Sequence, residues 1–193
     1  MAIKIDCDET YDKNEFDAKF RKFAKLNGID ISNTVGEGDA FELFVATVFK
    51  FNGYKIDEIV GRSGDQGGDI IVKKGVTKTE TTALPFTFGA VTETKKTGSQ
   101  IKYCIQCKYH STGNEGNKAI TEAALGKKKH KCNEGIAVAS TDFTSGGYEA
   151  AKLEKISTIN GSQLTTMIKK ASKKQDPWTY VWSNEDLVKI GFI

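Results

Sequence analysis

Four polar side chains in this sequence have the types and spacing needed for metal-assisted hydrolysis of a phosphodiester. Asp69 directly precedes a run of three β-branched residues, and Gln106 and Lys108 stand two apart in the alternating segment 101–110. Residues two apart on a strand point to the same side, so Gln106 and Lys108 share a face. Glu42 lies beside the apolar face of a helical pattern upstream. Since Mg²⁺ prefers hard oxygen ligands, we interpret the four residues as one candidate site.

The chemistry of the reaction suggests a role for each side chain. A divalent cation can activate the attacking water, orient the phosphate and neutralise its charge. Asp69 would supply a carboxylate ligand and Gln106 a neutral carbonyl oxygen, while Glu42 would bind the metal through water or hold the geometry. Lys108 would orient or deprotonate the water, or stabilise the charge on the phosphate, and both roles stay open. Taken singly, these residues also have ordinary explanations as turn residues, hydrogen-bonded amides or snorkelling lysines.

The loop that leads into Asp69 reads RSGDQGG, residues 62–68. Its last two residues, Gly67 and Gly68, are expected to leave room for a phosphate and a metal close to the backbone. Arg62 is a candidate bidentate phosphate contact, with Ser63 beside it. The first aspartate of the loop is interpreted as a turn residue, because short polar side chains favour turns.

Apolar periodicity predicts the elements that must position these residues. Helical spacing over 39–53 places five apolar residues on one face, with Asp39 as the expected N-cap and 32–38 as a linker. Further helices are expected over 12–28, 117–131, 145–155 and 161–170, and strands over 54–60, 69–72, 101–110, 135–140 and near 157–159. The tail, 178–193, is expected to add a strand and a short capped helix. This order predicts an α/β chain with a mixed sheet flanked by helices on both faces.

The segment 75–100 is rich in Thr, Lys and Gly and is long for a connection inside a compact domain. Its pattern fits either a β-hairpin arm or a flexible flap, and the sequence does not choose between them.

Composition and charge disfavour a membrane or secreted protein, but they do not identify a binding partner. The chain has 193 residues, 38% hydrophobic residues and a net charge of +3. It contains no apolar run long enough to span a bilayer and no secretory signal at its start, so a cytoplasmic location and no membrane association are expected. A cluster of basic residues, 127–131, makes Lys127 and Lys128 candidate DNA contacts. The alternative is a solvated lysine-rich surface, which composition alone favours.

The four cysteines are expected to be reduced thiols, because they are too few for a disulfide framework in a chain of this length. Cys104 and Cys107 have a spacing seen in zinc sites. On a strand, however, side chains three residues apart point to opposite faces, so the pair cannot bind one ion without a bulge. A structural zinc and a catalytic cysteine are therefore disfavoured.

The candidate residues also lie in blocks that resemble a known family. The Asp, Gln-x-Lys and helical Glu resemble the PD-(D/E)xK nuclease core, in the variant where glutamine replaces the second acid. The blocks FELFVATVFKFNGY, GRSGDQGGDIIV, IQCKYH, GNKAITEA, GIAVASTDFTSGGYEAAK and INGSQL are similar, in order, to the Mrr family of restriction endonuclease domains. The resemblance implies a restriction-endonuclease-like core, a Mg²⁺ cofactor that Mn²⁺ can replace, DNA as substrate, and the backbone carbonyl of Cys107 as a metal ligand. His110, which follows the Gln-x-Lys motif, is a further candidate DNA contact.

This resemblance divides the chain into a helical extension, 1–37, a nuclease core, 38–171, and a C-terminal extension, 172–193. The insertion at about 75–100 departs from the short turn of the family core. The first 37 residues are too few for a separate DNA-reading domain, so target choice is expected from loops, the tail, a homodimer or a specificity partner. A restriction-type DNA endonuclease, directed at modified DNA in some relatives, is the first hypothesis. A catalytically silent DNA-binding module and a structure-selective junction nuclease are the alternatives.

Overall fold

The computed structural model of the protein describes residues 11–60, 67–83 and 92–193. Within these ranges it describes the backbone throughout, and the side chains everywhere except in 77–83 and 92–97. The helices are α1 (Lys13–Leu26), α2 (Thr34–Phe51), α3 (Asn117–Lys129), α4 (Ser145–Glu154), α5 (Gly161–Ser172) and α6 (Asn184–Lys189), with a 3₁₀ helix at Pro177–Thr179. The strands are β1 (Lys55–Ile59), β2 (Ile70–Ala83), β3 (Thr92–Lys108), β4 (Glu134–Ala139) and β5 (Ile156–Ile159). Over the described ranges, the helices are all too short or too polar to cross a membrane.

One five-stranded mixed sheet carries the fold, in the order β1-β2-β3-β4-β5. Strands β1, β2 and β3 pair antiparallel, whereas β4 runs parallel to β3, and β5 runs parallel to β4. Strand β3 is therefore the central strand, with neighbours of both kinds. This arrangement confirms the predicted α/β class and mixed sheet.

Helices cover both faces of the sheet. On one face α1, α2 and α5 enclose a core rich in phenylalanine, in which Phe20, Phe41 and Phe44 are fully buried. On the other face α3 and α4 pack through small side chains such as Ala119 and Ala123. Strand β4 shows why both layers form, since alternate residues point to opposite faces: Ile136 and Val138 join the first core, and Ala137 and Ala139 join the second.

The start of α2 differs from the sequence-based expectation. Helix α2 begins at Thr34, so the expected N-cap Asp39 lies inside the helix and most of the expected linker is helical. The cap is Asn33, whose side chain accepts hydrogen bonds from the amides of Val35 and Gly36. Asn is as good an N-cap as Asp, and the two early glycines of the helix obscured its periodicity.

The expected strand in the tail was also wrong. Between Pro177 and the end of the chain the structure has only the 3₁₀ helix and α6. The backbone here pairs with a side chain, since Asn27 donates to the Tyr180 carbonyl at 3.0 Å and accepts the Trp182 amide at 3.0 Å. The tail instead stabilises the first core through packing: Trp182 is 5% exposed, and its indole nitrogen donates to Thr47 at 2.8 Å.

The long insertion forms an antiparallel hairpin. Strands β2 and β3 pair without interruption from Ile70, opposite Ile105, to Ala83, opposite Thr92. Of the two interpretations that the sequence left open, the pairing supports the hairpin arm. The tip, residues 84–91, lies outside the described residues.

Replacing Gly67 with alanine should destabilise the fold strongly. This glycine has φ +106°, and a Cβ there would lie 2.7 Å from the Glu122 carbonyl oxygen and 2.8 Å from the Gly126 nitrogen. Backbone atoms of α3 cannot move aside cheaply, so we expect a loss of at least about 3 kcal/mol of unfolding free energy in urea titrations. Gly53→Ala is the control, because its φ is +85° but nothing lies within 4 Å of its Cβ; it should cost about 1–2 kcal/mol. Equal losses in the two variants would contradict the packing explanation.

Candidate active site

The candidate residues meet at the end of β3 where it leaves the sheet. Asp69 immediately precedes β2, and Gln106 and Lys108 are among the last three residues of β3. Glu42, on α2, lines the same cleft. Together they border a cleft of about 250 Å³. Its lining residues are Thr34, Glu37, Gly38, Glu42, Asp69, Gln106, Cys107, Lys108 and Tyr109. The structure thus brings together the sequence-predicted catalytic set, although its residues are far apart in the chain.

Asp69 is held by neighbouring donors. Its Oδ2 accepts the Gln106 side-chain amide at 2.7 Å and the Cys107 backbone amide at 2.6 Å. The Gln106 Oε1 in turn accepts the amide of Gly68 at 2.9 Å. Because that backbone N–H can only donate, it fixes which end of the Gln106 side chain is oxygen. The Gly68 amide occupies one lone pair of the Gln106 oxygen, and the second lone pair is the one that could ligate a metal.

The oxygen donors in the cleft fit a hard divalent cation. They comprise the carboxylates of Asp69 and Glu42 and the carbonyl oxygens of Gln106 and Cys107, and Mg²⁺ prefers such ligands together with retained waters. Among the residues the structure describes, no group of three or more histidine, cysteine, aspartate or glutamate side chains could hold a metal ion. A cation in this cleft would thus depend on carbonyl oxygens and water as well as on carboxylates.

The glycines before Asp69 have a different role from the expected one. Gly67 and Gly68 both have positive φ, a conformation that L side chains rarely adopt. A Cβ on Gly68 would lie 2.4 Å from the sulfur of Cys104, and one on Gly67 would meet the backbone of α3. The space beside these glycines is filled by the protein itself, so they let the turn pack under α3 rather than open room for a ligand.

Burial controls the electrostatics of Asp69. Desolvation raises its pKa to about 6, against the hydrogen bond from Cys107 and the charge of Lys108, which lower it. In the folded protein without metal, this carboxyl therefore holds its proton to a higher pH than in the unfolded chain. A bound cation would favour the ionised form.

The raised pKa of Asp69 predicts a pH-dependent penalty on stability. Between its usual value of 3.8 and about 6, the folded state binds more protons than the unfolded state, so stability falls as pH rises through this window. The full penalty is about 3 kcal/mol. Urea titrations in a chelator should show Asp69→Asn gaining stability over the wild type by that order between pH 4 and pH 7. Titratable groups that the wild type and Asp69→Asn share cancel when their unfolding free energies are subtracted. If this difference in unfolding free energy does not change with pH, the raised pKa of Asp69 is contradicted.

Lys108 is paired with a residue that the sequence reasoning missed. Its Nζ lies 2.6 Å from Oε2 of Glu122 on α3, and both side chains are about three-quarters buried. Burial by itself lowers the pKa of Lys108, but the hydrogen bond and charge of Glu122, with the charges of Asp69 and Glu115, leave that pKa raised. Lys108 is thus a charged ammonium in this structure.

A signal for Glu122 was present in the sequence. Glu122 is the single acidic residue in α3, the helix that follows the Lys108 strand. A helix that packs on the lysine-bearing face must bring its own carboxylate toward that lysine, since a buried ammonium needs a partner. The sequence did not identify the pair, because the position of α3 over β3 is not readable from local patterns.

The cysteines of the described residues are free thiols. Cys107 faces the first core and Cys104 faces a small cluster with Ile71 and Cys132. The two residues of the Cys-x-x-Cys spacing therefore lie on opposite faces, as their strand geometry predicts. Burial, followed by the charges of Asp69 and Glu42, raises the pKa of the Cys107 thiol, which makes it a poor nucleophile.

The candidate DNA contacts lie in different places. Arg62 and Ser63, with the predicted turn residue Asp65, fall outside the described residues. Lys127 and Lys128 are in the last turn of α3. Lys127 lines a second cleft, of about 440 Å³, together with Glu134 at the start of β4, Lys152 and Lys155. Lys127 is not among the residues that line the Asp69 cleft. His110 lies beyond the end of β3 and pairs with Glu115.

The mixed sheet, the amide and lysine at the end of its central strand, and the acid at the start of the neighbouring strand define an α/β protein of the restriction endonuclease class. The chain belongs to the Mrr-type catalytic domain family: the family model, described as restriction endonuclease, matches residues 35–168. A comparison with curated protein sequences gives no match.

Solved structures give the same fold. The chain is similar to the MspJI restriction endonuclease, solved in complex with a 27-mer oligonucleotide, with a TM-score of 0.54 and 15% identity over 91% of this chain. It is also similar to AspBHI, a DNA modification-dependent restriction endonuclease, with a TM-score of 0.52 and 11% identity over 93% of this chain. The matches span 35% and 40% of those longer proteins, so the likeness concerns one part of each.

Proposed function

We propose that this protein is a divalent-metal-dependent endonuclease that hydrolyses phosphodiester bonds in DNA. The observation that carries the proposal is the convergence of Asp69, Gln106, Lys108 and Glu42 on one cleft at the end of β3. The family match and the two structural neighbours support the same class of reaction. Restriction of modified DNA is the more specific form of the proposal.

Asp69, Glu42, the carbonyl of Cys107 and the oxygen of Gln106 would hold the cation, with Mg²⁺ as the expected ion and Mn²⁺ as its substitute. The cation would supply an activated water and charge neutralisation at the phosphate. Asp69 is kept in place by the Cys107 amide and Gln106. Lys108, held charged by Glu122, would stabilise the negative charge that develops on the phosphate.

DNA bound at this cleft would also contact residues of the surrounding loops and helices. Arg62, Ser63, His110, Lys127 and Lys128 are the proposed contacts, which combine donors for phosphate with positive charge. A homodimer would place two active sites on the two strands of a duplex. A separate partner protein is the other proposed source of target choice.

Cleavage of plasmid DNA in Mg²⁺ or Mn²⁺ tests the proposed function. The protein should convert supercoiled plasmid to open or linear forms, and chelation of the metal should stop the reaction. Parallel substrates should be methylated plasmid, unmethylated plasmid and a four-way junction. Preference for methylated DNA supports modification-directed restriction, preference for the junction supports a structure-selective nuclease, and no cleavage of any substrate contradicts the proposed activity.

A silent DNA-binding module is the second candidate, and one observation favours it. Among the described residues no group of three or more histidine, cysteine, aspartate or glutamate side chains could hold a metal ion, so the cleft has few charged metal ligands. Titration calorimetry with Mg²⁺ separates the two candidates. Measurable binding that Asp69→Asn removes supports the nuclease, whereas salt-sensitive DNA binding without any metal binding supports the silent module.

A further inference from the structure

A second acid–base pair lies beside the candidate active site. The ring nitrogen Nε2 of His110 is 2.5 Å from Oε2 of Glu115. The His110 side chain is 34% exposed, whereas that of Glu115 is 8% exposed. A carboxylate is costly to bury without a partner, so this pair is built into the protein rather than formed loosely at its surface.

Hydrogen bonds fix the backbone of both residues of the pair. Ser140, which is fully buried, accepts the His110 amide at 2.8 Å and donates to the His110 carbonyl at 3.1 Å. The amide of Glu115 donates to the Asp142 carbonyl at 2.8 Å, and its own carbonyl accepts the amide of Thr144 at 2.8 Å. The Glu115 Oε1 also accepts the Ala119 amide at 3.3 Å. These contacts hold the ring in one place without DNA present.

The place of His110 in the chain, close to Lys108, suggests what its ring binds. His110 follows Lys108 by two residues, and such a step along an extended chain covers about 7 Å. The charge of Glu115 also reaches Lys108, so the Lys108–Glu122 and His110–Glu115 pairs belong to one charged surface at the end of β3.

We propose that His110 binds a DNA phosphate beside the Asp69 cleft, and that Glu115 is the positioning residue for its ring. The inference rests on the proposed function, because it assumes DNA in the Asp69 cleft. With Nε2–H donated to Glu115, the imidazolium form of the ring has Nδ1–H as its second donor, and this N–H is the one that would reach a phosphate oxygen. Glu115 thus acts on DNA only through His110.

Binding of a labelled duplex without divalent metal, over a salt series in mildly acidic buffer, tests the proposal. His110→Gln should weaken binding about tenfold and reduce the slope of log K against log salt by about 0.9. Lys189→Gln, which removes one positive charge from α6, is the matched control and should leave the slope unchanged. An unchanged affinity and slope in His110→Gln would overturn the proposal.

Glu115→Gln distinguishes positioning from general electrostatics by the sign of its effect. Loss of a negative charge near DNA should tighten binding if only the net charge matters. The positioning role predicts weaker binding, and no further loss when His110→Gln is added. Tighter binding in folded Glu115→Gln would overturn the role of Glu115, and where this variant does not fold, the result for His110→Gln decides.

The same variants separate this inference from the proposed function. If wild-type protein binds DNA through His110 but never cleaves it, the nuclease proposal fails and the phosphate contact stands. If the wild type cleaves DNA and His110→Gln binds like the wild type, the inference alone fails. A wild type that binds no DNA rejects both.

Discussion

Asp69→Asn is expected to reduce DNA cleavage by about 10³-fold or more. The loss of a carboxylate ligand removes metal-derived stabilisation of several kcal/mol, and each 1.36 kcal/mol corresponds to a tenfold change in rate. Asparagine keeps the shape of the side chain and an oxygen that can accept the Cys107 and Gln106 amides. The variant should therefore fold and fail in catalysis. Plasmid cleavage rates in saturating Mg²⁺, with metal affinity from calorimetry, measure the effect.

A carboxylate elsewhere on the sheet provides the control. Asp57 pairs with Lys73 at 2.7 Å on the neighbouring strands β1 and β2 and does not line the cleft. Asp57→Asn should cleave DNA at close to the wild-type rate. Full activity in Asp69→Asn, or equal losses in the two variants, would show that Asp69 is not at the reacting centre.

Lys108→Met is expected to lower cleavage by about 10²- to 10⁴-fold, the range for a positioned proton-transfer group or charge stabiliser. Methionine keeps the apolar stem but removes the ammonium, and it leaves Glu122, which is about three-quarters buried, without its 2.6 Å partner. The single variant should thus also lose stability. Adding Glu122→Gln should recover stability without recovering activity, which separates the catalytic loss from the folding loss. Cleavage rates and urea titrations of both variants measure this.

Lys102→Met is the matched control for Lys108. Lys102 is on the same strand and the same face, and its Nζ donates to the His130 carbonyl at 3.0 Å instead of pointing into the cleft. It should retain nearly full cleavage activity. A comparable loss of cleavage activity in Lys108→Met and Lys102→Met would indicate a general effect of removing positive charge from β3. Lys108 would then have no specific role in the reaction.

Glu122→Gln alone distinguishes the two roles left open for Lys108. Glu122 raises the pKa of Lys108, so its removal should lower that pKa. If Lys108 acts as a base, the rising limb of the pH–rate profile should move to lower pH and the rate at a given pH should increase. If Lys108 acts as a charge stabiliser, the rate should not increase, because the lysine is already protonated in the wild type.

Local patterns were sufficient for most elements of this protein. The helices α1, α3, α4 and α5, the strands β1, β4 and β5, and the sheet portions of β2 and β3 were expected close to where they lie, because apolar spacing of 3.6 and 2.0 residues reports which side of an element is buried. The extension of β2 and β3 into the hairpin arm was one of two interpretations left open. The errors occurred where the signal is short or polar. Capping by Asn33 and Asp39 looks equally plausible in sequence, and the tail has apolar residues that pack without forming a strand.

The sequence by itself determined the types of the reacting groups, the shared face of Gln106 and Lys108, and the class of nuclease that this motif implies. Only the tertiary structure decided which groups touch. The Gln106 oxygen bonds Gly68, Lys108 pairs with Glu122, and Gly67 packs under α3. The physical reason is that side-chain direction follows from local backbone geometry, whereas partners depend on the stacking of a helix on a strand that is remote in the chain.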